Sequence, residues 1–338
     1  METTFDAEAL VGYRYRVDDY YEVGREKIRE YARAVQDYHP AHWSDSAATE
    51  LGYPGLVAPI TFTSIVAMQV NRALLENVMT GYDTFVHTDQ VFEVHRPVVA
   101  GDRLTSDVEV TSVRRVVGKD LFTIATTFTD QSGEIVQVMR ATIVGITSGE
   151  VESDVSAAID RVIMSGLDTT PAHAVPAVAQ PGRIATRIQT ASRRHLAHGV
   201  IRLDDVAVGD ELPSRTIQLT RGDLVNYAGV AGDVNPIHWH EEVASLVGLP
   251  DVIAHGMLTM GLAAAFITDW LGDPGAITRY AARLSNYTVI EAFAAGDVEF
   301  SGRIKAIDPE SGTARIVLVA KAAGRKIFGL STMDIRLG

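Results

Sequence analysis

An internal repeat limits how this chain can fold more than any other feature. Residues 31–43 read YARAVQDYHPAHW and residues 227–239 read YAGVAGDVNPIHW, with Tyr, Ala, Asp, Pro, His and Trp matching at a constant offset of 196. Downstream, GYPGLVAP at 52–59 lies over GLPDVIAH at 248–255, and Gly101-Asp102 meets Gly296-Asp297 after a one-residue slip in a loop. A chain of 338 residues has room for two such units, and self-similarity of this length means one supersecondary design used twice. The repeat predicts a first domain over 1–147 and a second over 201–338. Residues 148–200, with Pro171, Pro176, Pro181 and many Ala and Ser, read as a linker containing one short helix over SDVSAAIDRVIMSGL.

Both copies carry the same order of elements. Thr220 followed by Asp223 is a capping-box pattern, so a helix starts there and runs to Gly232. The next helix, HGMLTMGLAAAFITDW from His255 to Trp270, is apolar on nearly every face and has to be wrapped on most sides. Its counterpart is PITFTSIVAMQVNRALLENV. Alternating or β-branched runs follow each: FVHTDQVFEV, DRLTSDVEVTSV, LFTIATTFTD and EIVQVMRATIVGI in the first copy, RYAARLSNYTVI, DVEFSGRIKAI, TARIVLVAKAA and KIFGLSTMDIRL in the second. One long buried helix and an antiparallel sheet curled around it make an α+β unit, present here in tandem.

Composition removes several function classes. With no cysteine there is no disulfide, thiolate nucleophile or Cys-containing metal site. A net charge of −13 opposes nonspecific binding of nucleic acid. An anionic ligand would need a local basic patch, for which Arg193, Arg194, Arg283, Arg325 and Lys326 are the candidates. No run of about 20 uninterrupted apolar residues predicts membrane insertion, and the acidic start METTFDAEAL is unlike a secretory signal, so a cytoplasmic location is expected.

The chemistry concentrates in GDVNPIHW. Pro236 stops helix continuation and turns the chain, which lets Asp233 and His238 converge. An acid beside an imidazole can hold a water between them and move a proton near neutral pH, and Asn235 can fix either group. Farther on, His255 and Gly256 open the buried helix, where free N–H groups can receive a carbonyl oxygen that becomes an oxyanion. Base, water-holding acid and oxyanion site together suit addition or removal of water next to a thioester carbonyl. Two plainer readings stay open: an Asx-type turn with a structural histidine, and a metal bound by His238, His240 and His255, against which stands the lack of a recognised ligand spacing.

At these residues the sequence resembles the hydratase-2, or MaoC-like, family of hot-dog-fold (3R)-specific enoyl-thioester hydratases and dehydratases. The family motif is present as Tyr227, Gly232, Asp233, Asn235, Pro236, Ile237, His238 and Ala244. The second half is similar to the B subunit, and the first half to the A subunit, of the (3R)-hydroxyacyl-ACP dehydratase of mycolic-acid synthesis, as though the two were fused. The resemblance implies a double hot-dog, a pseudo-dimer within one chain that is itself a monomer or homodimer. In it the second half supplies Asp233 and His238 and the first helps form the acyl channel. It implies hydro-lyase chemistry on an acyl-CoA or acyl-ACP thioester in fatty-acid or mycolic-acid metabolism, with acyl carrier protein as a possible partner and no metal or other cofactor.

The first copy departs from the motif in an instructive way. It keeps Asp37 and His42 but has Gln36 for Gly232, His39 for Asn235, and Pro59-Ile60 for His255-Gly256. Pro59 has no N–H and Ile60 is bulky where a backbone would meet the thioester, so one working site is expected, in the second copy. Two other functions remain as alternatives: a hot-dog thioesterase and a non-catalytic acyl-binding scaffold.

Overall fold

The computed structural model describes residues 6–82, 84–147, 153–163 and 199–338. The first copy comprises β1 (Arg14–Arg16), β2 (Tyr21–Glu22), α1 (Arg25–Ala34), α2 (Asp45–Glu50), α3 (Thr63–Asn77), β3 (Thr84–Val94), β4 (Arg103–Val116), β5 (Lys119–Thr129) and β6 (Ile135–Ile146). After α4 (Ser153–Val162), the second copy comprises β7 (Arg215–Leu219), α5 (Arg221–Ala231), α6 (Glu241–Leu246), α7 (Gly256–Leu271), β8 (Ile277–Leu284), β9 (Gly296–Asp308), β10 (Thr313–Ala322), β11 (Arg325–Lys326) and β12 (Phe328–Arg336). The expected helix between the copies is therefore α4; most of the rest of 148–200, with Arg193 and Arg194, lies outside the described residues.

The two copies share one antiparallel sheet, in the order β1-β4-β5-β6-β3-β8-β12-β10-β9-β7, with the short β2 and β11 paired to β4 and β10. The join between copies is β3 against β8, in register from Asp89 opposite Arg283 to Glu93 opposite Arg279. Arg283 donates to Asp89 across this seam at 2.9 Å, and Arg325 donates to Asn286 at 3.0 Å. Both cations are committed to structural partners.

The sheet alternates as a half-buried strand should; β9 shows the inward Val298, Phe300, Gly302 and Ile304 between outward residues. α7 is the centre of the core. Every residue from Leu258 to Thr268 is buried, as the all-round apolar sequence requires. Each large side chain among them contributes about 1.5–3 kcal/mol by leaving water. At Gly261 the helix comes so close to the first copy that a Cβ would stand 2.4 Å from Val35 Cγ1. The equivalent α3 leaves Met68 and Gln69 exposed.

Two expected elements differ. The strand read over residues 279–290 stops at Leu284, because Ser285 and Asn286 both donate backbone N–H to Ile327 and turn the chain away. The remaining residues brace the entry to α7: Ala254 N–H donates to Thr288 O at 2.8 Å, and Ile290 N–H to Val252 O at 3.0 Å. The first-copy helix begins at Thr63, not at Ile60, the residue aligned with Gly256. There Phe62 N–H is taken by Pro59 O, Ser64 N–H by Thr61 O and Ile65 N–H by Phe62 O, a tightened turn.

Candidate active site

α5 starts at the Thr220–Asp223 capping box and ends where Gly232 adopts φ +77°. That left-handed residue reverses the chain at little cost because glycine has no Cβ. Asp233 follows, and a single 3-10 turn, Pro236–His238, brings His238 back beside it. Asn235 is exposed, and its side-chain oxygen is used to accept from Ile237 N–H at 3.2 Å. It touches the acid through its backbone, whose N–H lies 3.4 Å from Asp233 Oδ1. Asn235 thus shapes the turn with its side chain and meets the acid through its backbone N–H.

Inside the site three groups meet. His238, 7% exposed, donates Nδ1–H to Ile253 O at 2.7 Å, so Nε2 carries the lone pair. His255 is fully buried as the residue that opens α7; it donates Nε2–H to the Asp233 carbonyl at 3.2 Å. The two imidazoles stack with centroids 3.8 Å apart and planes 28° from parallel. Burial lowers the His238 pKa, against the opposing pull of Asp233 and the Ile253 carbonyl. Burial, and next the neighbouring His238, push His255 down to about 2. Both rings are therefore neutral near pH 7, and His238 Nε2 is available as a base.

The Asp233, His238 and His255 ligand-capable atoms all lie within 4.8 Å of one another, a cluster that linear spacing did not reveal. The stacked rings nevertheless aim poorly at a common ion. A nitrogen lone pair lies in its ring plane, so rings stacked 28° from parallel direct their lone pairs side by side and not toward one point. His240, the other sequence candidate for a metal, points elsewhere: its Nδ1 accepts from Val243 N–H at 3.4 Å as the cap of α6.

Gly256 is the first residue of α7. The first helical hydrogen bond is donated by Thr259 to His255 O, so the N–H groups of Gly256, Met257 and Leu258 have no acceptor within the helix. A Cβ on Gly256 would stand 2.7 Å from Leu284 Cδ1, so the close packing uses its lack of a side chain. One contributor was not found from sequence: His87 on β3, from the first copy, feels the charge of Asp233, although burial is what chiefly holds its pKa down. Only pairing of β3 with β8 brings it there.

The first-copy pair is arranged differently. His42 donates Nδ1–H to Val57 O at 2.6 Å, matching His238. Its Nε2, however, sits 3.2 Å from Asp37 Oδ2, a direct charge contact between side chains only 0% and 4% exposed. Burial alone would lower the His42 pKa, but Asp37 outweighs it and raises the value; burial alone would raise Asp37, and His42 reverses that. His39 caps its turn with Nδ1, accepting from Ala41 N–H at 3.3 Å, and its Nε2 reaches Gly272 O of the second copy at 3.0 Å. A shallow open depression at the seam, lined in part by Pro59, Ile60, Arg96 and Pro274, lies over this first-copy helix entry and not over Asp233 and His238.

Comparison with known proteins agrees with this architecture. Residues 9–139 match the family described as "FAS1-like, dehydratase domain region", and residues 206–315 match the "MaoC like domain". A solved "MaoC-like dehydratase" is 54% identical, covers 98% of this chain and 99% of its own, and superposes with a TM-score of 0.90. A "UPF0336 protein" of Mycolicibacterium paratuberculosis is 40% identical over 154 residues, which is 45% of this chain and 88% of that protein. A conserved hypothetical protein of Mycobacterium tuberculosis, described as a double hotdog fold, shares the fold at TM-score 0.59 and 15% identity, over 97% of this chain and 96% of its own. With both halves matching dehydratase domains and near full-length likeness to such a protein, this chain belongs to the MaoC-like dehydratase family and is a double hot-dog.

Proposed function

We propose that the chain is a (3R)-3-hydroxyacyl-thioester dehydratase, equally a (3R)-specific trans-2-enoyl-thioester hydratase, with Asp233 and His238 as its reacting pair. The observation that carries this reading is an Asp and a neutral His that face each other without direct contact, beside a helix start with unused N–H groups. In the hydration direction, a water sits between the Asp233 carboxylate and His238 Nε2. His238 takes one proton as the water oxygen bonds to C3 of the enoyl thioester, and the electron pair of the double bond moves toward the thioester carbonyl. The Gly256 N–H receives the negative charge on that oxygen, and the proton held by the pair returns to C2. Dehydration is the same path reversed, and neither direction consumes a redox equivalent.

The first copy, on this reading, is a wall of the acyl channel, and its closed pair carries no turnover. The carrier is CoA or acyl carrier protein, and the metabolic setting is fatty-acid or mycolic-acid elongation. No described helix is long and apolar enough to cross a membrane. Hydration of trans-2-enoyl-CoA substrates of increasing chain length, by the wild type, Asp233→Asn and His238→Ala, tests the proposal. Loss of the conjugated-enoyl absorbance by wild type and its abolition in both variants is expected. Thiol release without loss of that absorbance would point to a thioesterase, and tight acyl-CoA binding without turnover to a scaffold.

A further inference from the structure

We infer that His255 is a positioning residue, a spacer that keeps Asp233 and His238 apart by the width of one water or hydroxyl group. The inference rests on the reading of that pair as the reaction centre. One ring touches both partners: its centroid lies 3.8 Å from that of the His238 ring, and its Nε2–H donates to the Asp233 backbone carbonyl at 3.2 Å. The ring is itself immobilised. It is fully buried, Tyr227 packs on it at 4.9 Å, and the His255 carbonyl takes both the N–H and the hydroxyl of Thr259.

The first copy serves as an internal control. In both copies the histidine Nδ1 donates to the carbonyl of the residue fifteen positions on, Val57 or Ile253. The following tryptophan also anchors its indole N–H to the turn, Trp43 to Asp37 O and Trp239 to Val234 O. The residue before each acid is left-handed whether it is Gly232 at φ +77° or Gln36 at φ +50°. His39 caps its turn as Asn235 does. What changes at the place of contact is that His255 is replaced by Pro59, which offers neither a flat ring to stack nor a donor to hold a carbonyl. There the pair has closed to 3.2 Å.

Closure also changes how the histidine titrates, which provides a readout other than activity. His238 is faced by Asp233 from the end of α5 and by His255 and the Ile253 carbonyl from the entry to α7. Tyr227 lies behind His255, and His87 on β3 lies within reach of the Asp233 charge. His238 titrates below the ordinary imidazole value, burial being the main cause, while His42, in contact with its acid, is raised. Removing the spacer should convert the first behaviour into the second.

The test uses the full chain with isotope-labelled histidine rings, following each ring by NMR across pH while kcat and KM for enoyl-CoA hydration are measured on the same samples. His255→Ala is expected to raise the His238 midpoint by about one unit or more and to lower kcat roughly 10- to 100-fold with KM little changed. His255→Phe, which keeps the flat ring, should hold the His238 midpoint low, while His255→Gln, which keeps the donor but not the stack, should let it rise. These two variants decide the matter if the alanine variant does not fold. A loss of kcat with the His238 midpoint unmoved, or a raised midpoint with full kcat, overturns the spacer. If the wild type hydrates no enoyl thioester, the functional reading fails, and the His238 midpoint in the three variants still reports whether His255 sets the spacing.

Discussion

In the first copy Asp37 meets His42 at 3.2 Å, buried and mutually neutralised; in the second, Asp233 and His238 stand within 4.8 Å with no direct ion-pair contact. The two pairs occupy matching positions, follow the same helix and use the same carbonyl anchor, yet they are suited to different work. A buried acid and imidazole in charge contact offset each other, and breaking them strands a charge in a low-dielectric interior. A separated pair leaves a lone pair and a carboxylate unspent, which costs stability but leaves groups free to act on a substrate. The helix starts differ in the same sense. α7 begins at Gly256 with its first N–H groups unused, whereas the N–H groups around the start of α3 are absorbed in a tight turn.

Substitutions that remove one property of the open site sharpen this contrast. Gly256→Pro removes an N–H at the first helical position, where proline is tolerated, and its Cβ would meet the mobile end of Leu284. Hydration kcat should fall roughly 100- to 1,000-fold while thermal unfolding shifts little. An unchanged kcat would remove Gly256 from the oxyanion role. His42→Ala should act in the opposite sense, costing about 3–5 kcal/mol in urea unfolding because Asp37 is left buried and unpaired, while the folded fraction keeps its turnover. A loss of less than about 1 kcal/mol would mean that the closed pair is not a structural element.

The histidines of the two copies should also respond to pH with opposite signs. His238 and His255 fold with values below the ordinary 6.5, His255 as low as about 2. Their contribution is thus complete above pH 6.5 and declines as pH falls through the window toward about 2, where the unfolded chain binds protons that the fold refuses. His42 is raised, so its contribution is present below 6.5 and is lost as pH rises through its folded value. Asp37 is lowered, so its contribution is present above 3.8 and is lost as pH falls through its folded value. Removing His255 as His255→Phe should flatten the acid slope of stability by up to about 1.4 kcal/mol per pH unit, read from urea midpoints between about pH 7 and pH 5. An unaltered slope would show that His255 is protonated in the fold. The smallest effect is expected from Gly232→Ala, about 1 kcal/mol of stability from a Cβ at φ +77°, with the open pair still working, since Gln36 shows that a side chain can occupy this turn.

Much of this was legible in the sequence because it depends on local rules. The 196-residue repeat, the Thr220–Asp223 cap, the all-round apolar α7 and the alternating strands each follow from residues near one another, and the structure has them in place. Asp233, His238, His255 and Gly256 could also be singled out, since a turn and a helix start expose them as a set. What could not be read depends on distant contacts. The β3–β8 seam brings His87 toward Asp233. The Ile327 carbonyl ends a strand that its own residues would continue. Whether an Asp–His pair is open or shut depends on a residue 17 to 22 positions away, His255 or Pro59, acting through space. That Asn235 reaches Asp233 through its backbone has a related reason: its side chain meets its nearest demand, the Ile237 N–H, before any more distant one.

The comparison rests on which pair carries the reaction. The most direct measurement is turnover of a trans-2-enoyl-CoA by His238→Ala and His42→Ala side by side, each corrected for folded fraction. The account predicts a loss of roughly 100- to 10,000-fold for His238→Ala and near wild-type kcat for His42→Ala. Retained turnover in His238→Ala together with its loss in His42→Ala would contradict it.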